Sequence, residues 1–208
     1  MHLNNKDIQN LDRKERILLI NSITGIKPGN LIGTISNEGI TNLAVFSSIV
    51  HLGSDPALLG FILRPTGEVP RHTYENILET QEYTINHIPI NNTKKAHYTS
   101  AKFDKSVSEF HRCGFTEEFT DGFKAPFVKE SPVKIGMNYC ETIEIPRNGT
   151  KLIIGKIEQI LLPDHKINYP DLNLELCESA GISGLNTYYS FNKIENYPYA
   201  RLNEVPDF

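Results

Sequence analysis

The stretches PVKIGMNYCETIEI (132–145) and TKLIIGKIEQILL (150–162) flank Pro146-Arg147-Asn148-Gly149. An Asn-Gly pair between two strand-like runs is the strongest short-range hairpin signal, because both residues tolerate the positive φ of a tight hairpin turn. It commits this part of the chain to antiparallel pairing. NLIGTIS (30–36) and TNLAVFSSI (41–49) repeat the pattern around NEGI, whose Asn37 and Gly39 suit a tight turn. ALLGFIL (57–63) follows Asp55-Pro56 and reads as a strand buried on both faces, and EYTINHIPI (82–90) alternates in part.

Helical signals are few and short. TYENILET (73–80) offers Thr73 as an N-cap and Glu75 in its first turn. A second helix is expected from about Asp104 to Cys113, with Asp104 as cap and Gly114 at the stop position, and residues 93–101 suit one more short turn. The tail GLNTYYSFNKIENYPYARL is aromatic but aperiodic and reads as a loop-rich arm. Many strands with hairpin turns and short helices predict a mainly β chain, an antiparallel barrel or sandwich. Gly25, Gly29 and Gly33 are spaced by four and make no dinucleotide fingerprint, and GxxxxGK[ST], HExxH and GxSxG are absent.

At 208 residues the chain is long enough to bury a large core without disulfides or structural metal, and it is expected to form a single domain over 1–208. Residues 1–16 read as a polar segment with a solvated charged face, and 163–208 as the arm. Net charge is −4 and no basic stripe is present, which argues against nucleic acid as a partner. Cys113, Cys140 and Cys177 lie far apart without CxxC spacing, and the seven His show no metal-ligand spacing, so no metal site is expected. A polar N-terminus and the lack of a long apolar run argue against a signal peptide or membrane span. With the sparse thiols, a cytoplasmic protein is expected.

Polar residues on strands that should fill a core carry the functional question. Thr34 and Ser36 share a face of strand 30–36, and Asn42, Ser47 and Ser48 interrupt 41–49. Nearby, RPTGEVPRHTYENI (64–77) runs through a Pro/Gly turn into Arg71 and directly into a helix start. A helix N-terminus favours anions, Arg71 adds planar donors, and Thr73 and Asn76 add neutral ones. Such a set can hold a phosphate monoester. It is equally what a capped helix beside a solvated Arg would show.

The ordered series GTIS, GITNLAVFSS, DP, RHTYENILETQEYTIN, AHYTSAKF, SEFHRCGFT and GLNTYYS…YARL resembles the flavin reductase-like family of FMN-binding split-barrel proteins, over about residues 17–202. The resemblance implies a six-stranded antiparallel Greek-key barrel working as a homodimer, with FMN near the subunit interface. It implies that the strand with Asn42, Ala44, Val45, Phe46, Ser47 and Ser48 lies along the flavin. Thr34, Ser36, Arg71, Thr73 and Asn76 would complete the site, the serines and the 71–76 segment holding the ribityl chain and phosphate. Many relatives carry Pro at the position of Val45 and an aromatic at that of Ser48, so this chain gains a backbone donor and a hydroxyl. His97 and Ser100 are weaker candidates for the flavin or nicotinamide face, Arg64 reads as a turn residue, and Tyr188 and Tyr189 read as packing the tail. His51 and His87 read as packed or surface residues.

The implied activity is an NAD(P)H:FMN oxidoreductase, with NADH or NADPH as donor and a partner monooxygenase among the possible acceptors. Hydride chemistry belongs to the cofactor, so no catalytic side chain is nominated. The alternative is an FMN-bearing electron-transfer protein with no nicotinamide site. An oligonucleotide-binding barrel is disfavoured by the acidic balance.

Overall fold

The computed structural model describes residues 1–65, 67, 70–163, 167–168 and 171–207. Thr66, Glu68 and Val69 of the expected Pro/Gly turn, and residues 164–166, 169, 170 and 208 of the expected arm, lie outside the described residues. Two short helices open the chain, α1 (Asn5–Asn10) and α2 (Arg13–Ser22). Then come strands β1 (Lys27–Pro28), β2 (Asn30–Ile35), β3 (Thr41–Phe46), β4 (Ile49–Ser54) and β5 (Ala57–Leu63), and helix α3 (His72–Thr80). After β6 (Glu82–His87) follow α4 (Thr93–Tyr98), α5 (Glu109–Cys113), β7 (Glu117–Thr120) and β8 (Phe123–Val128). The long strands β9 (Lys134–Ile145) and β10 (Thr150–Leu161) precede four short ones, β11 (Ile167–Asn168), β12 (Asp171–Leu172), β13 (Gly181–Ser183) and β14 (Thr187–Tyr189). Among the described residues no helix is long and apolar enough to cross a membrane.

The fold is mainly β. Its principal sheet has seven strands in the order β3-β2-β6-β9-β10-β5-β4, every pair antiparallel. The resemblance implied six. The extra strand is β4, whose first residue was expected to end the run 41–49. Ser47 and Ser48 break that run, and the chain restarts at Ile49 on the far side of the sheet.

That restart dictates the architecture. β3 and β4 stand at opposite ends of the strand order, yet only two residues join them. Three Cα–Cα steps reach at most about 11 Å, whereas seven strands laid flat would span about 29 Å. The sheet must therefore curl until its first and last strands meet, and it closes as a barrel. The rings of Phe46 and Phe61 meet edge to face across this closure at 5.0 Å.

Strand alternation feeds two cores. Leu31 and Ile32 are neighbours on β2, and both are fully buried on opposite faces. Ile32 joins Phe61, Tyr83, Ile85, Met137 and Ile153 from β2, β5, β6, β9 and β10, with Ile77 of α3 closing one end. Leu31 joins Leu43, Phe110, Phe115 and Val128 under α4, α5 and β8. Gly155 lies where an added Cβ would stand 2.3 Å from the Tyr83 hydroxyl, so this strand position admits the tyrosine only because it carries no side chain. Buried Asn86 ties three strands: its Nδ2 donates to the Leu31 carbonyl at 3.1 Å, and its Oδ1 accepts from the Val128 amide at 3.0 Å.

Local structure adds detail to some expectations and corrects one. The first sixteen residues carry helical structure: Asn4 and Asp7 form a capping box on α1, and Asp12 caps α2. Asp104 does not cap a helix; it accepts from the amide and hydroxyl of Ser106 in a turn, and α5 begins only at Glu109. Gly114 does end α5, in the left-handed conformation at φ 73°. The tail is not all loop, since β13 pairs with both β1 and β14.

Ser179 fastens the incoming tail to β6, through a bridge to Pro89 and a 3.1 Å hydrogen bond between its hydroxyl and His87 Nδ1. Burial pushes the His87 imidazole down to about 4. The unfolded chain binds this proton near 6.5, so protonation favours unfolding. The His87 contribution is expected to be whole above pH 6.5 and to be lost as pH falls from about 6.5 to 4. Urea titrations across that window should show the decline, and His87→Gln should flatten it.

Candidate functional site

A cleft of about 1190 Å³ opens beside the closure. One wall is the end of β3 and the link to β4, contributed by Asn42, Ala44, Val45, Phe46, Ser47 and Ser48. The start of α3 supplies Arg71, His72 and Thr73, and the segment from α4 towards α5 supplies His97, Ser100, Lys102, Lys105 and Glu109. A third wall joins Asn21 and Lys27 with Ile182, Leu185 and Asn186 from the tail.

β3 is an edge strand here. Its Leu43 amide donates at 3.0 Å to the Glu109 carboxylate, so Leu43 points its N–H away from β2. In an antiparallel pair, residues two apart point their amides the same way. Val45 therefore aims its N–H off the same edge, into the cleft that it lines. Glu109 is only 5% exposed, and burial pushes its carboxyl up against the opposing pull of the Leu43 hydrogen bond.

The polar residues singled out in the sequence divide into two sets. Thr34, Asn42, Thr73 and Asn76 are buried and bound to one another: Asn42 Nδ2 donates to Thr34 Oγ1 at 3.3 Å and to Thr73 Oγ1 at 3.0 Å, and Asn76 Nδ2 donates to Thr34 Oγ1 at 3.1 Å. This cluster fastens α3 onto β2 and β3. Thr73 is thus not the cap, and the helix starts one residue earlier, after Arg71. Thr34, Ser36 and Asn76 do not line the cleft; the Ser36 hydroxyl accepts from the Ile40 amide in the hairpin turn at 3.2 Å. Ser48 is bound as well, its hydroxyl donating to the Ile62 carbonyl and accepting from the Ile62 amide, each at 3.1 Å. It stands in for a strand residue at the closure.

The second set faces the cleft with unmet capacity. Arg71 Nε is buried with no hydrogen-bond partner, while its NH2 nitrogen donates to the Pro65 carbonyl at 3.3 Å. α3 has no side-chain cap, so its first amides point past Arg71 unshielded. The cleft carries five Lys or Arg (Lys27, Arg64, Arg71, Lys102, Lys105) against three carboxylates (Glu75, Asp104, Glu109), in a chain of net charge −4. Lys27 is held by the carbonyls of Asn21 and Gly184 at 2.8 and 3.4 Å. This arrangement suits an anionic ligand at the α3 end and a flat apolar body along Val45 and Phe46.

Of the weaker candidates, Arg64, His97 and Ser100 line the cleft. Tyr188 packs against the outer core and meets the His97 ring edge to face at 6.1 Å, its hydroxyl raised to about 12 by burial. Tyr189 is 43% exposed, and His51 is exposed on β4. Sequence reasoning missed Lys27, Lys102, Lys105 and Glu109. They come together only through the closure and the packing of α4, α5 and the tail, and no local pattern marks them.

Residues 26–174 match the family described as flavin reductase like domain. A flavin-reductase-like split-barrel protein from Shewanella frigidimarina NCIMB 400 superposes with a TM-score of 0.92 at 42% identity, over 96% of this chain and 100% of that one. Nitrilotriacetate monooxygenase component B from Bacillus cereus gives a TM-score of 0.83 at 15% identity, over 95% and 98% of the two chains. The 2-nitrobenzoate 2-nitroreductase NbaA of Pseudomonas fluorescens gives 0.80 at 18% identity, over 100% and 99%. By its domain match and its split-barrel architecture, the chain belongs to the flavin reductase like family.

Proposed function

We propose that the chain binds FMN in the cleft and acts as a cytoplasmic NAD(P)H-dependent flavin oxidoreductase, passing hydride from the nicotinamide to flavin N5. The observation that carries this reading is the pairing of two unmet donor sets in one cleft: buried Arg71 Nε at the uncapped start of α3, and the Val45 amide on the open edge of β3. The first suits a phosphate monoester. The second suits the carbonyl-rich edge of an isoalloxazine. Family membership and the volume support it too, since about 1190 Å³ exceeds what one ligand of ordinary size occupies and leaves room for a second ring.

In this reading FMN supplies the hydride and electron chemistry, and the protein supplies position and field. Arg71, with the first amides of α3, would hold the phosphate. Phe46 and Val45 would give the ring an apolar support, and the Val45 N–H would offer a donor to negative charge gained on reduction. The Thr34–Asn42–Thr73–Asn76 cluster, of which Asn42 and Thr73 reach the cleft wall, keeps the phosphate end in register with the ring end. His97 and Ser100 face the remaining volume, where a nicotinamide would stack. Proximity and orientation are what the fold adds.

The purified protein is expected to show flavin absorbance or to take up FMN, and to bleach rapidly when NADH or NADPH is added without air. A protein that holds FMN but does not bleach with either donor is an electron carrier instead. Arg71→Ala should weaken FMN binding by about 1.5–3 kcal/mol, the worth of a hydrogen bond to a charged group, while riboflavin binding changes little. Equal losses for both ligands, read by fluorescence titration, would remove Arg71 from the phosphate site.

We also propose a homodimer. Ile17, Leu18, Ile20 and Ile23 of the α2 region are 39–66% exposed, and Ile194, Tyr197, Tyr199 and Leu202 of the tail are 81–96% exposed. That much exposed apolar surface suits a partner copy. Light scattering should give twice the chain mass, and the monomer mass would overturn the proposal.

A further inference from the structure

Glu109 is the buried charge that the proposed function does not use. It is the first residue of α5, it lines the cleft, and its exposure is 5%. Among the described residues no Lys or Arg pairs with it; its Oε2 instead accepts the Leu43 amide at 3.0 Å. A carboxylate buried without a cation is costly, and removing it would leave an edge amide unpaired. The groups that face it are few. His72 of α3 lines the same cleft and acts on its charge, and on its own helix Cys113 is raised partly by it. The position is specific: Leu43 and Val45 point their amides off the same edge, and Glu109 occupies the first while the second stays open to the cleft. The carboxylate thus stands about one pleat repeat, roughly 7 Å, from the donor that would meet a ring.

We propose that Glu109 is a positioning residue that fixes the ligand-facing edge of β3, and that its charge lowers the reduction potential of a flavin bound along that edge. The inference rests on the flavin reading above. Two-electron reduction adds negative charge to the ring system, and a fixed negative charge nearby in a poorly solvated wall opposes it. The oxidised form is held in preference, and the reduced form becomes a stronger donor to whatever acceptor follows. The carboxylate neither gives nor takes the hydride.

Glu109→Gln separates the two roles, because a glutamine carbonyl still accepts the Leu43 amide but carries no charge. With FMN bound at pH 8, the binding ratio of reduced to oxidised FMN is expected to rise about tenfold. Spectroelectrochemical titration reads this as a potential higher by about 30 mV for a two-electron couple. Glu109→Ala should instead weaken both redox forms, because the edge amide loses its acceptor. If Glu109→Gln binds FMN with an unchanged potential, the proposal is wrong and the residue is only an edge cap. If the wild-type protein takes up no flavin in either redox state, the flavin reading itself falls, and this inference with it.

Discussion

Two residues hold the architecture to its shape. Ser47 and Ser48 must carry the chain from the first strand of a seven-stranded sheet to the last. No flat sheet permits that, so closure follows from chain connectivity rather than from any one favourable contact. The hydroxyl of Ser48 then does what a backbone group would do in an unbroken ladder, meeting both the amide and the carbonyl of Ile62. The closure is incomplete beyond that point. β3 keeps an open edge, and the cleft exists because that edge is neither paired nor filled.

Edges of this kind are a hazard in β proteins, since unpaired amides recruit other strands. Here the hazard is divided. Glu109 covers Leu43, the link covers the strand end, and only the stretch around Val45 remains open, inside a concave wall. Behind it, the four-residue polar cluster ties α3 to β2 and β3. An uncapped helix start and an open strand edge are thereby held at a constant separation, which is what recognition of a long, two-ended ligand requires.

The sequence disclosed the hairpins readily. Asn148-Gly149 and Asn37 to Gly39 mark their turns, with Gly149 and Gly39 at positive φ, and the strands they join stand within two residues of expectation, save that β3 ends at Phe46 rather than Ile49. The β3–β4 break was harder to see, because Phe46-Ser47-Ser48-Ile49 reads as a continuing strand until the far sheet edge is known. The same difficulty applies to function. Thr34 and Asn42 drew notice as polar residues on apolar strands and Asn76 as a donor at a helix start, and much of that polarity is spent on mutual hydrogen bonds. Glu109 and Lys27 drew none, since a charge in a short helix or before a proline is unremarkable until burial singles it out. Arg71 was visible because it precedes a helix start, a local feature.

The long pairing of β5 with β10 has its own implication for how the chain comes to be folded. Leu63 faces Lys151 across that ladder, and everything from α3 to the β9–β10 turn lies in the loop they close. The β2–β3 and β9–β10 hairpins need only nearby residues and can form within microseconds. The β5–β10 ladder must wait for a large loss of chain entropy to be recovered by many contacts at once. Loop entropy alone therefore puts the closing of the sheet after its hairpins, and the ligand-accepting cleft, which draws on both ends of the chain, after them as well.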